Sequence, residues 1–244
     1  MNAEKVPLPQ NNELPLNIRE SKKHTEGLES IVWKTLVQNK DEQEKLVALK
    51  QIKREQFATD EEMRKSKEFY DFLKGFPKFS KFVPDTLYFK ARMSSGEKVG
   101  GYALQHFWEG KSLDKIKDEE LYKDPDVVRQ LLEFANAASE ILQKTRKEKI
   151  PKPDFYTAYN ADTRAVILGT VLANPRYSTN VVISEKPNEN GQRVFFIDTG
   201  VNSYERMSKI AENYGREIGG RLQELQFKRW AGKLQKILEN GKIK

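Results

Sequence analysis

Asn180 and Asp198 bracket the stretch "NVVISEKPNENGQRVFFID", and both carry side-chain oxygens. Between them, Asn190-Gly191 separates two runs rich in Val, Ile and Phe, which is the strongest short-range hairpin signal. The stretch is therefore expected to fold as two antiparallel strands, with Asn180 where the first begins and Asp198 where the second ends. An amide oxygen and a carboxylate brought to one end of a hairpin suit a hard cation such as magnesium, which prefers oxygen ligands. Taken singly, the same residues would serve as a strand cap and a turn starter. Softer chemistry lacks raw material. The chain has no cysteine and only two histidines, His24 and His106, which leaves nothing for a thiolate nucleophile or a disulfide and too little for a zinc cluster or a Ser-His-Asp site.

The elements that must hold such residues follow from periodicity. "LESIVWKTLV" (28–37) and "LVALKQI" (46–52) are β-rich and read as three strands of an antiparallel sheet. "TDEEMRKSKEFYDFLKGF" (59–76) opens with a helix-capping Thr59 or Asp60, keeps acids in its first turn and ends at Gly75, so it is expected to be helical. "TLYFKARM" and "VGGYALQHFW" read as two further strands. After Gly110 the pattern turns helical. Pro125 sits where a first-turn proline belongs, and Val128, Leu131, Leu132, Ala135, Ala138 and Leu142 keep one face. Ile210, Tyr214, Ile218, Leu222, Leu225, Trp230, Leu234 and Ile237 suggest helices that Gly219-Gly220 bends or divides.

Five strands with a helix after the third, followed by a helical half that carries one hairpin, is an order that resembles the protein kinase-like fold. Charged groups stand at that fold's stations. "VALK" (47–50) is similar to the third-strand signature that ends in the phosphate-binding lysine. The resemblance implies that Lys50 contacts the α- and β-phosphates of ATP, that Glu68 on the next helix holds its ammonium, and that Asn180 and Asp198 are the magnesium ligands. "IDTG" is similar to the family's Asp-x-Gly, with Thr199 in place of phenylalanine. "TEGLESIVWK" resembles the glycine-rich loop, its three glycine stations held by Thr25, Gly27 and Ser30 and its trailing valine by Val32. "YALQHFWEGKSL" resembles the fifth strand and hinge, which places Gln105 beside the nucleotide. The implied architecture is α+β: a flexible tail over residues 1–24, a five-stranded antiparallel N-lobe with one helix over 25–108, and a reduced helical C-lobe over 109–244, with ATP and magnesium between the lobes.

The resemblance breaks at the catalytic loop. The family keeps an aspartate five positions before the magnesium-binding asparagine, and here that position is Pro175, which cannot accept a proton. Asp154, in "KPDF" after the long helix, is the candidate base, which makes residues 155–179 an insertion; Asp162 is the next acid to consider. Too little chain follows Gly200 for the platform that binds a protein substrate. Two readings result. One is a phosphotransferase acting on a small-molecule, sugar or other hydroxyl acceptor, similar to sugar and aminoglycoside phosphotransferases. The other is a pseudokinase-like module that engages a protein or nucleic acid through a basic surface without turnover. A net charge of +7 favours polyanionic company, whether nucleotide, nucleic acid or acidic lipid headgroup. Apolar runs are too short for a membrane span and the leader lacks a signal-peptide core, so a cytoplasmic protein is expected.

Overall fold

The computed structural model describes residues 17–26, 30–38, 43–52, 60–92, 99–150, 153, 155, 174–198 and 218–241. These residues form a mixed α/β protein with a five-stranded antiparallel sheet and several helices. Contacts divide the chain into two units, Met1–Glu68 with Asp85–Phe107, and Phe69–Pro84 with Trp108–Lys244.

In the first unit, β1 (Asn17–Glu26), β2 (Ser30–Gln38), β3 (Glu44–Ile52), β4 (Thr86–Arg92) and β5 (Val99–His106) lie in the order β1-β2-β3-β5-β4. Strand side chains alternate between faces, so register decides what each face carries. Trp33, Leu49 and Leu104 stand opposite one another and are buried, and with Val47 and Tyr102 they form this unit's core. The other face carries Val32, Lys50 and Ala103 in one row and Lys34, Ala48 and Gln105 in the next.

Residues 17–24, expected within a flexible tail, are instead paired along β2. Only Ile18 is aliphatic in this stretch, because β1 is an edge strand held by backbone pairing while most of its side chains face water. Helix α1 (Asp60–Gly75) falls where its capping and acidic first turn place it. Its inward stripe is Met63, Ser66, Phe69 and Leu73. The stretch 25–108 does not stay together as one lobe. Phe69, Leu73, Phe79 and Phe82 bury themselves in the second unit's core, and they take Phe69–Pro84 with them.

The second unit holds β6 (Gly110–Ser112), β7 (Val181–Ser184) and β8 (Val194–Phe196), a three-stranded antiparallel sheet in the order β6-β7-β8. Its helices are α2 (Asp118–Leu121), α3 (Pro125–Glu148) and α4 (Gly220–Gly241), with α3 packed along α4. Gly110 opens a strand rather than a helical half. A side chain there would stand 2.1 Å from the carbonyl oxygen of Ile183, so only glycine lets β6 approach β7. Phe79, Phe134, Phe155, Phe196 and Phe227 form an aromatic core; Phe155 lies 4.7 Å from Phe227 and 5.2 Å from Phe196 between ring centroids. Helix α3 begins as its sequence requires. Asp124 accepts from the backbone N–H groups of Asp126 and Val127 while Pro125 takes the first position. Among the described residues, no helix is long and apolar enough to cross a membrane.

Candidate functional site

The hairpin β7–β8 brings Asn180 and Asp198 together. Val181 pairs with Phe196 and Ile183 with Val194, and the Ile197 N–H donates to the Asn180 carbonyl at 2.9 Å, one step beyond the strands. At that end the Asn180 amide nitrogen lies 3.4 Å from a carboxylate oxygen of Asp198. Asn180 is buried and Asp198 partly so. At the other end, the Asn188 side-chain oxygen accepts from the N–H groups of Asn190 and Gln192, and Gly191 takes a φ of 76°. The hairpin is also fastened to α3. Gln130 accepts from Arg193 N–H (2.7 Å) and donates to the Gly191 carbonyl (2.9 Å), and Arg193 Nη1 donates to Asp124 at 2.5 Å. Burial works against the Asp124 charge, but the Val127 N–H and the Arg193 guanidinium hold its carboxyl below the usual range.

Asn180 also depends on the loop that leads to it. Pro175–Tyr177 is a single 3-10 turn, capped by the Asn174 side chain, and Arg176 within it is only 4% exposed. Its guanidinium donates to the carbonyls of Leu113 (2.5 Å) and Ile116 and to the Asp118 carboxylate (2.6 Å). A fork of this kind locks a turn in place, because it ties the turn to three acceptors at once: the Ile116 carbonyl, the Leu113 carbonyl, which otherwise accepts only from the Ile116 N–H at 3.4 Å, and the Asp118 carboxylate. Burial opposes ionisation of Asp118, yet hydrogen bonds from Arg176 and Lys233 hold its carboxyl below the usual value.

Ser178, fully buried, donates its hydroxyl to the Phe155 carbonyl at 2.5 Å. The two ends of the segment expected as an insertion thus meet. Phe155 follows Asp154, Ser178 stands two residues before Asn180, and the Phe155 ring packs on Phe196, two residues before Asp198. Asp154 and Asp162 themselves lie outside the described residues, as does Gly27. Pro175 is buried in its turn.

In the first unit, Val32, Lys50 and Ala103 share a row on the sheet face opposite the core. On that face Ala103 is buried and Ala48 and Lys50 are half-buried. Gln105 is buried in the neighbouring row and donates to the Thr86 hydroxyl at 2.9 Å. Thr25 pairs with Val32 across β1 and β2. Glu68 lies on α1 with its side chain 59% exposed and takes Arg64, one turn earlier, at 2.5 Å.

The pair at the hairpin mouth has the composition of a magnesium site. Adjacent ligands of an octahedral magnesium ion stand about 3 Å apart, close to the 3.4 Å between the Asn180 and Asp198 atoms. Rotating the Asn180 amide exchanges its nitrogen for oxygen at the same place. No cluster of three or more acidic or histidine ligands occurs among the described residues. Arg176, Ser178 and Gln130 were not singled out in the sequence; their partners lie 63, 23 and 61 residues away, and no local pattern announces them. Compared with known proteins, the chain matches no family model and no curated sequence.

Proposed function

We propose that the chain has a two-lobed protein kinase-like architecture and is an ATP- and magnesium-dependent phosphotransferase acting on a hydroxyl acceptor such as a sugar or other small molecule. The observation that carries this reading is the Asn180–Asp198 pair, set at one end of a rigid hairpin. In the first unit, the row of Val32, Lys50 and Ala103 beside buried Gln105 supports it, as does a helix between the third and fourth of five antiparallel strands. Asn180 and Asp198 hold magnesium on the nucleotide phosphates, and Lys50 contacts the α- and β-phosphates. The acceptor oxygen attacks the γ-phosphorus, the bond from that phosphorus to the bridging oxygen breaks, and ADP leaves. Asp154 takes the acceptor's proton. Its neighbour Phe155 is tied to Ser178 and packed at a tilt against Phe196, which brings the chain at 155 back to the base of the hairpin despite the insertion.

A second reading, nucleotide binding without turnover, is favoured by buried Pro175 at the family's usual base position and by exposed Glu68 bound to Arg64. Two measurements separate the possibilities. Magnesium-ATP at 100 times its dissociation constant should add about 2.7 kcal/mol of apparent stability, and Asp198→Ala should lose most of that shift; an unchanged shift removes Asp198 from the site. With a bound nucleotide established, ATP consumption that falls about 10²–10⁴-fold in Asp154→Asn assigns the base. Consumption at background in both proteins favours the binding module. Robust consumption in both sends the search to another acid, beginning with Asp162.

A further inference from the structure

We propose that the outward face of α4 docks on an anionic lipid surface. The helix buries Gln223, Phe227, Trp230 and Leu234 along one side. Opposite them Arg221, Leu225, Arg229 and Lys236 are exposed, at spacings of four, four and seven residues that keep them on one stripe. The stripe is about 22 Å long at the helical rise. Ile218 stands two residues before the helix begins, and it and Leu225 are 42% and 49% exposed.

Two acids stand on the helix. Glu224 is buried and taken by Arg146 and Lys228, and Glu239 stands in the last turns, hydrogen-bonded by Gln235. Glu239 follows Lys236 by three residues and offsets part of its charge, so the stripe keeps a net positive charge carried by Arg221 and Arg229, on a chain whose net charge is already +7. Charge alone suits any polyanion; the aliphatic side chains choose among them. Leu225 and Ile218 gain nothing against a phosphate backbone, but at a bilayer they reach the boundary between headgroups and acyl chains. Single-stranded nucleic acid rewards exposed aromatic rings, and both aromatics of α4, Phe227 and Trp230, are buried.

The test uses the full chain and sedimentation with vesicles, either phosphatidylcholine alone or with about 30 mol % phosphatidylserine, at about 0.15 M salt. Binding is expected only to the anionic vesicles and should weaken as salt rises. The combined variant Arg221→Glu, Arg229→Glu, Lys236→Glu should lose about 10²-fold in affinity or more with an unchanged circular dichroism spectrum, and Arg229→Glu alone gives the same direction should the combined variant fail to fold. Leu225→Ser, which keeps every charge, should lose severalfold. Failure of the wild type to bind anionic vesicles overturns the proposal, as does unchanged binding by the charge variants. Tighter binding to an oligoribonucleotide than to vesicles, insensitive to Leu225→Ser, would reassign the face to nucleic acid and also overturn it.

Discussion

Residues 174–198 are held by side-chain hydrogen bonds to distant parts of the second unit, with Arg176 reaching out to Leu113, Ile116 and Asp118, Ser178 to Phe155, and Gln130 of α3 reaching in to both Gly191 and Arg193. Lys50, in the first unit, is placed by strand register between Val32 and Ala103, and Glu68 by one exposed turn of helix. Register fixes where a backbone runs but leaves a four-carbon side chain its own rotamers. A buried polar network fixes the functional atoms as well, since every member left unpaired costs free energy. Substitutions around the hairpin should therefore change stability and metal binding together. On the lysine face they should change nucleotide affinity and leave stability nearly alone.

The largest effect is expected at Arg176. Replacing it with leucine strands the carbonyl of Ile116 in the interior, leaves that of Leu113 with only the Ile116 N–H at 3.4 Å and removes a partner of Asp118, for a loss of about 3 kcal/mol in denaturant unfolding. Arg176→Lys keeps charge but not the fork, and should recover part of it. A loss under about 1 kcal/mol for Arg176→Leu would mean that the turn is held by packing alone. Next, Ser178→Ala removes the donor to a buried carbonyl and should cost about 1–2 kcal/mol; if Asp154 is the base, turnover should fall in this variant by more than ATP binding does.

Acid comes third. Burial opposes the charge of Glu224, but hydrogen bonds from Lys228 and then Arg146 hold its carboxyl below the ordinary 4.5. Asp118 and Asp124, both partly exposed, are likewise lowered. A carboxyl lowered on folding binds protons more readily when unfolded. Its contribution is complete above the ordinary value and is lost as pH falls through the folded one. Melting temperature should therefore hold steady down to about pH 5 and drop below it, and Glu224→Gln, the best buried of the three, should flatten the drop. A melting temperature that does not fall below that pH would contradict the ion pairs. The smallest effect belongs to Glu68→Gln. An exposed pair one turn apart is worth about 0.3–0.5 kcal/mol, so stability should barely move. Weakened magnesium-ATP binding in that variant would place Glu68 at the nucleotide; unchanged binding would leave it a helix-surface partner of Arg64.

Local chemistry was legible where the residues that decide a structure are neighbours in sequence. Asn190-Gly191 marked the hairpin, and Asp124-Pro125 marked the start of α3, because a turn and a cap are each completed within four residues. β1 was not legible, since an edge strand facing water has no apolar alternation to betray it. β6 is three residues long, and what identifies it is the close approach of Gly110 to Ile183, 73 positions later, which no window of sequence contains. The candidate site divides in the same way. Asn180 and Asp198 could be paired from the hairpin signal, whereas the closure of the insertion by Ser178 and Phe155 depends on the fold of the entire second unit.

Manganese in place of magnesium gives the most direct view of the hairpin mouth, because its paramagnetic resonance signal is lost on binding. Titrating the full chain with manganese in the presence of a non-hydrolysable ATP analogue should show one bound ion. Affinity should fall about tenfold or more in Asp198→Ala and by a smaller factor in Asn180→Ala, with the folded spectrum retained in both. Equal manganese affinity in the wild type and Asp198→Ala would contradict the assignment of this pair as the metal ligands.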